Sequence, residues 1–99
     1  MDIQKDFEEK ELTILINGRV DTYTAPELET AINDELGNFD SLILDFTNLE
    51  YISSAGLRVL VATKKKAKKE DFTLTIKNVN ATVNEILRMS KFDKILNIE

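Results

Sequence analysis

The stretch Asp45-Phe46-Thr47-Asn48-Leu49-Glu50-Tyr51-Ile52-Ser53-Ser54-Ala55-Gly56-Leu57-Arg58-Val59-Leu60 decides how this chain folds. Immediately before it, Leu42-Ile43-Leu44 is a short apolar run without alternation, bounded by Asp40-Ser41 and Asp45. Such a run predicts a central strand covered on both faces. The strand leads into a loop, and the loop ends in paired serines where a helix begins. Leu57, Leu60, Val61 and Ala67 form the apolar side of that helix. Gly56 falls in its first turn. Glycine there costs helix stability relative to alanine, so its presence predicts a close approach by another backbone.

Working outward, Asp2 to Phe7 reads as a short strand and Glu8-Glu9-Lys10-Glu11 as a polar turn. Leu12, Ile14, Ile16 and Val20 alternate with Thr13, Asn17 and Arg19, with Leu15 the exception, which is the period of a half-buried strand. Thr24-Ala25-Pro26-Glu27 is a helix start: Thr24 can cap, Glu27 completes a capping box, and Pro26 is tolerated in a first turn. Leu28, Ala31, Ile32 and Leu36 share one face of that helix, and Gly37 ends it. Phe72, Leu74 and Ile76 alternate with Thr73 and Thr75, giving another strand. Asn80 caps a third helix carrying Val83, Ile86 and Leu87. Ile95-Leu96-Asn97-Ile98 is a final strand. The order β-β-α-β-α-β-α-β predicts an α/β domain over residues 1–99. Its sheet is mixed, of four to five strands, with helices packed against it. The connection from Phe46 to Phe72 is long enough for a parallel crossover.

Composition excludes several classes of function. With 42% hydrophobic and 31% charged residues, 3 Gly and 1 Pro, the 99-residue chain reads as one globular domain. There is no Cys and no His, which excludes a Cys/His zinc site, thiolate chemistry and an imidazole base. An enzyme is therefore not expected, and neither is a cofactor. The 3 glycines are scattered at Gly18, Gly37 and Gly56, so there is no glycine-rich phosphate loop. A net charge of −5 repels phosphate backbones and argues against nucleic acid. Lys64 to Lys69 is read as a solvated last helical turn, where cations suit the dipole. No run is long and apolar enough for a membrane span, and Met1 to Asp6 lacks a signal-peptide core. The expected location is cytoplasmic.

The serines carry the chemistry of interest. Either can be an N-cap. One of them can also be a phosphorylation site, because a helix start tolerates phosphate and the added charge acts on whatever docks there. Asp21 fits a turn residue.

Tyr51 to Leu60 resembles the signature of STAS domains, in particular the bacterial anti-sigma factor antagonists. Asn17-Gly18-Arg19-Val20-Asp21 with Ala25-Pro26-Glu27-Leu28 resembles the family's second signature, and Leu42 to Phe46 its central strand. Met89 to Ile95 is similar to the segment before its last strand. The resemblance covers nearly the whole chain, in order. It implies a single STAS domain that binds an anti-sigma factor, itself a serine kinase, when unphosphorylated, and so frees a sigma factor for transcription. It also implies release on phosphorylation of Ser54 and resetting by a metal-dependent serine phosphatase. Ser53 is the second candidate acceptor, since it stands where many members have aspartate. The resemblance implies that Asp21, at the family's acidic position, orients the serine or meets the kinase, a reading that stands level with that of a turn residue. Asp21, Thr22, Ser53, Ser54, Gly56 and Arg58 are the expected docking residues. The family's usual C-terminal helix has no counterpart before Glu99. A non-switching scaffold, or a subunit that senses a small ligand or nucleotide, is the alternative reading of the same fold.

Overall fold

The computed structural model describes residues 1–99. The first strand, β1 (Asp2–Glu8), forms an antiparallel hairpin with β2 (Glu11–Val20). Helix α1 (Ala25–Asn33) follows, then β3 (Ser41–Asp45), β4 (Leu49–Ile52), α2 (Ser54–Glu70), β5 (Thr73–Lys77), α3 (Ala81–Met89), a 3-10 turn (Phe92–Lys94) and β6 (Asn97–Ile98). The sheet order is β1-β2-β3-β5-β6, with every pair after the hairpin parallel. The expected α/β order and mixed sheet are both present. Only the short strand β4 is additional.

The length of β2 explains that extra strand. Its first half, Glu11 to Leu15, pairs with β3, and its last residues, Gly18 to Val20, pair with β4. The register shifts between Gly18 and Arg19, so Gly18 faces Leu49 and Arg19 faces Tyr51. Glu50 is the additional residue of a bulge, which bends a strand and breaks its parity. Gly18 sits at φ 103°, a conformation natural to glycine, and its N–H donates to Asn48 O at 3.0 Å.

Leu12, Ile14, Ile16 and Val20 are fully buried, as their alternation predicts. They join a core of 22 residues with Leu42 and Leu44 of β3, Leu28 and Ile32 of α1, and Val83 and Leu87 of α3. Ile43, on the opposite face of β3, is also buried but lies outside that core. Its register partners are Thr13 and Thr75. The buried side of α2 is Gly56, Leu57, Val59, Leu60, Thr63 and Ala67. Val59 thus takes the inward place that apolar spacing gave to Val61, which is only half-buried. Lys65, Lys68 and Lys69 are solvated at the end of α2, as expected. The final strand shrinks to Asn97–Ile98 because the 3-10 turn occupies Phe92–Lys94 and leaves Ile95 half exposed. No helix is long and apolar enough to cross a membrane.

Candidate functional site

Two turns meet where β2 and β4 end side by side, since Val20 is in register with Ile52. One turn enters α1 and the other enters α2. Ser53 N–H donates to Val20 O at 2.8 Å and ties the two together.

In the second turn, Ser53 is the N-cap of α2, with extended backbone at φ −89° and ψ 176°. Its Oγ accepts from Gly56 N–H at 3.4 Å, and its carbonyl accepts from Leu57 N–H at 2.9 Å. The side chain is half-buried. Ser54 is the first helical residue. It is exposed, and its Oγ engages none of the hydrogen bonds that build either turn. The two candidate hydroxyls are therefore not equivalent: one is used by the fold and one is available.

Gly56 is buried on the inward face of α2. A Cβ built there would lie 2.6 Å from Ile52 Cγ1 and 2.7 Å from Val20 Cγ1. The close approach predicted from sequence is real, but it is made by side chains of β4 and β2 rather than by another backbone. Burial also removes Gly56 from the set of residues that can touch a partner. It acts by letting α2 sit down on the two strand ends, which sets where Ser54 and Arg58 emerge.

In the first turn, Asp21 Oδ1 accepts from Tyr23 N–H at 2.9 Å and from Thr24 N–H at 3.0 Å. The bond from the Thr24 backbone, with those from Tyr23 and the Thr24 hydroxyl, holds the Asp21 carboxyl below its ordinary range; the Arg19 charge adds to this. Thr24 does not cap α1 with its side chain. Its Oγ1 accepts from Asp21 N–H at 2.8 Å and donates to Arg19 O at 2.9 Å. The capping box read from Thr24 and Glu27 is thus replaced by an Asp21 turn. No hydrogen bond joins Asp21 to Ser54, so the orienting role is not made in this structure; the turn role is.

Around these turns the surface is exposed and mixed. Thr22 and Arg58 line a groove of about 430 Å³ between the starts of α1 and α2, with Ala25, Glu29 and Ala55. Tyr23 projects from the first turn with 88% of its surface exposed. Arg19 lies over the Tyr51 ring, 4.9 Å from its centre. Sequence reading did not pair Arg19 with Tyr51, because the pairing depends on the bulged register of β4. Asp21, Thr22, Ser53, Ser54 and Arg58 are thus gathered at one end of the molecule.

A family model for the STAS domain matches residues 2–99. The chain is 38% identical over 52 residues to the anti-sigma-F factor antagonist RsfB of Mycobacterium tuberculosis, a match spanning 52% of this chain and 43% of RsfB. It is 24% identical over 100 residues to an anti-sigma-B factor antagonist of Staphylococcus aureus, spanning 99% of this chain and 92% of that one. A crystal structure of a candidate anti-sigma factor antagonist from Thermotoga maritima superposes with a TM-score of 0.90 at 19% identity, covering 97% of this chain and 84% of that one.

Proposed function

This chain belongs to the STAS domain family, and from that membership we propose that it is an anti-sigma factor antagonist whose hold on its partner is set by phosphorylation of Ser54. It is a binding regulator rather than an enzyme. The partner is an anti-sigma factor that doubles as a serine kinase, and a metal-dependent phosphatase resets the switch.

The observation that carries the assignment is the difference between the two serines. Ser53 Oγ caps α2, so modifying it would disturb the helix start. Ser54 Oγ is exposed and uncommitted, one residue further on. A kinase can reach it without unfolding anything. In the transfer, Ser54 Oγ bonds to the γ-phosphorus of the kinase's ATP, the bond to the bridging oxygen breaks, and ADP leaves. The serine proton goes to a base on the kinase, since this chain has no histidine.

Release follows from electrostatics. A phosphate brings a charge of about −1.5 to −2 into the docking surface. Reversing a partner from nearly all bound to nearly all free takes about 5.5 kcal/mol of differential affinity. Carrying that charge out of water into an interface shaped for a neutral hydroxyl costs free energy on that scale. The surrounding residues supply the rest of the docking surface: Thr22, Tyr23 and Arg58 are exposed, and Asp21 and Ser53 are partly so.

Phosphosite mapping by mass spectrometry, on protein taken from its own cells as growth conditions vary, tests this. The expected result is phosphate on Ser54 that rises and falls with conditions, lost in Ser54→Ala and kept in Ser53→Ala. Phosphate confined to Ser53, or none under any condition, would overturn the assignment.

A further inference from the structure

We propose that Arg58 is the receiving group for a phosphoryl group on Ser54, the two pairing along the exposed face of α2. This inference rests on the assignment of Ser54 as acceptor. Both residues are exposed, and both lie in the first turns of the helix. Their spacing of four residues places their Cβ atoms about 5–6 Å apart. The order, acid before base along the chain, is the favourable one for such a pair. A phosphoserine presents three acceptor oxygens, and a guanidinium presents a planar fork that matches two of them.

Arg58 is the only cation on α2 that can serve. The next basic residue of the helix is Lys64, six positions further and about 9 Å along the axis from Arg58. Arg19, the other guanidinium at this end, is already stacked on Tyr51. Arg58 itself is uncommitted. The ion pairs of the molecule are Lys5 with Glu35, Lys77 with Glu99 and Arg88 with Glu85, and Arg58 is in none of them.

The neighbouring carboxylates direct the phosphate the same way. Asp21 stands in the adjoining turn, ionised and held by its own backbone bonds. Glu29 lines the groove that Arg58 also lines, yet forms no ion pair with it. Both repel a phosphate dianion, and Arg58 is the cation within one helical turn.

The pairing changes what modification does to a partner. In the unmodified chain, Arg58 is free to meet a carboxylate on the docking protein. In the phosphorylated chain, an anion tethered one turn away takes that place at an effective concentration that a separate protein does not match. The phosphate then withdraws a cation from the docking surface while adding a negative charge to it.

The test uses the full chain with phosphoserine incorporated at position 54 during translation, alone and combined with Arg58→Gln or Arg58→Lys. The pH titration of the phosphorus signal by 31P NMR reads the second phosphate ionisation, ordinarily near about 6. The wild-type background is expected to titrate lower than Arg58→Gln by about 0.3 unit, the scale of an exposed pair at this spacing. Arg58→Lys should fall between them, and the difference should shrink in about 1 M salt. Any effect of the helix start is common to all the variants and cancels. Superimposable curves for wild type and Arg58→Gln would overturn the proposal. Because the phosphate is installed without a kinase, the outcome is independent of whether cells modify Ser54, which the mapping experiment decides separately.

Discussion

The turn entering α1 and the turn entering α2 are neighbours joined by the bond from Ser53 N–H to Val20 O, but they use their polar groups in opposite ways. In the first turn the side chains of Asp21 and Thr24 point back onto their own backbone, satisfying Tyr23 N–H, Thr24 N–H, Asp21 N–H and Arg19 O. In the second, Ser53 completes the cap alone, and Ser54 is left over. A helix start needs a limited number of acceptors. Once they are supplied, an additional hydroxyl at the same place is free for something other than folding. The contrast separates residues that build this end of the molecule from residues that an outside protein can use.

The largest effect should come from breaking that contrast with a charge. Ser54→Asp places a carboxylate on the uncommitted position without touching the cap. It is expected to lower affinity for the anti-sigma factor partner by about 100-fold or more, the cost of desolvating a charge in an interface shaped for a neutral hydroxyl. Circular dichroism and the urea midpoint should be nearly unchanged. Isothermal titration with wild type and variant decides the matter, and equal affinities would show that Ser54 does not face the partner.

A smaller effect, on stability, should come from Gly56, where the two turns share a support. Alanine is the better helix former by about 1 kcal/mol. Here, however, its methyl group would sit 2.6 Å from Ile52 and 2.7 Å from Val20. Those side chains are 1% and 0% exposed, so neither has free space to retreat into. The clash should win, and Gly56→Ala is expected to destabilise the fold by about 1–3 kcal/mol in urea unfolding. A variant as stable as wild type would mean that α2 can lift off the strand ends at little cost.

Much of this was legible in the sequence, and the gaps have physical causes. The inward residues of β2 showed their period because its buried side faces one continuous core. The apolar run of β3 marked the centre of the sheet because its residues are buried on both faces, Ile43 on one and Leu42 and Leu44 on the other. Strand β4 gave no such signal. Its bulge at Glu50 leaves Leu49 and Ile52 buried with two exposed residues between them, a pattern with neither period. The strand, the paired serines and the glycine in the first helical turn also pointed to the end of the molecule proposed as the site. The residue pattern by itself did not separate Ser53 from Ser54; only the family resemblance ranked Ser54 first. Both are small hydroxyl residues, and their roles differ only in which one keeps extended backbone before the helix. The spacing from Ser53 to Gly56, the third helical position whose N–H an N-cap accepts, was the available clue. Asp21 was ambiguous because an aspartate that closes a turn and one that meets a partner have the same local sequence.

The structure shows Asp21 closing the turn, and acid can test what its charge does there. Asp21 is held below its ordinary value of 3.8, first by the Thr24 backbone N–H and then by its other turn bonds. A carboxyl whose folded pKa is depressed binds its proton more readily in the unfolded chain. Its contribution is therefore complete above about 4 and is lost as pH falls through the folded value. Asp21→Asn keeps an acceptor oxygen in the turn but removes the charge and its titration. At neutral pH the variant should unfold at lower urea than wild type. As pH falls from 3.8 through the lower folded value, the two curves should converge, because wild type comes to carry a neutral carboxyl. Asp45 and Glu35, also held low, are common to both proteins and cancel from the difference. A gap that persisted unchanged into acid would mean that the charge on Asp21 does nothing for the turn, and would leave contact with a partner as the use of that charge.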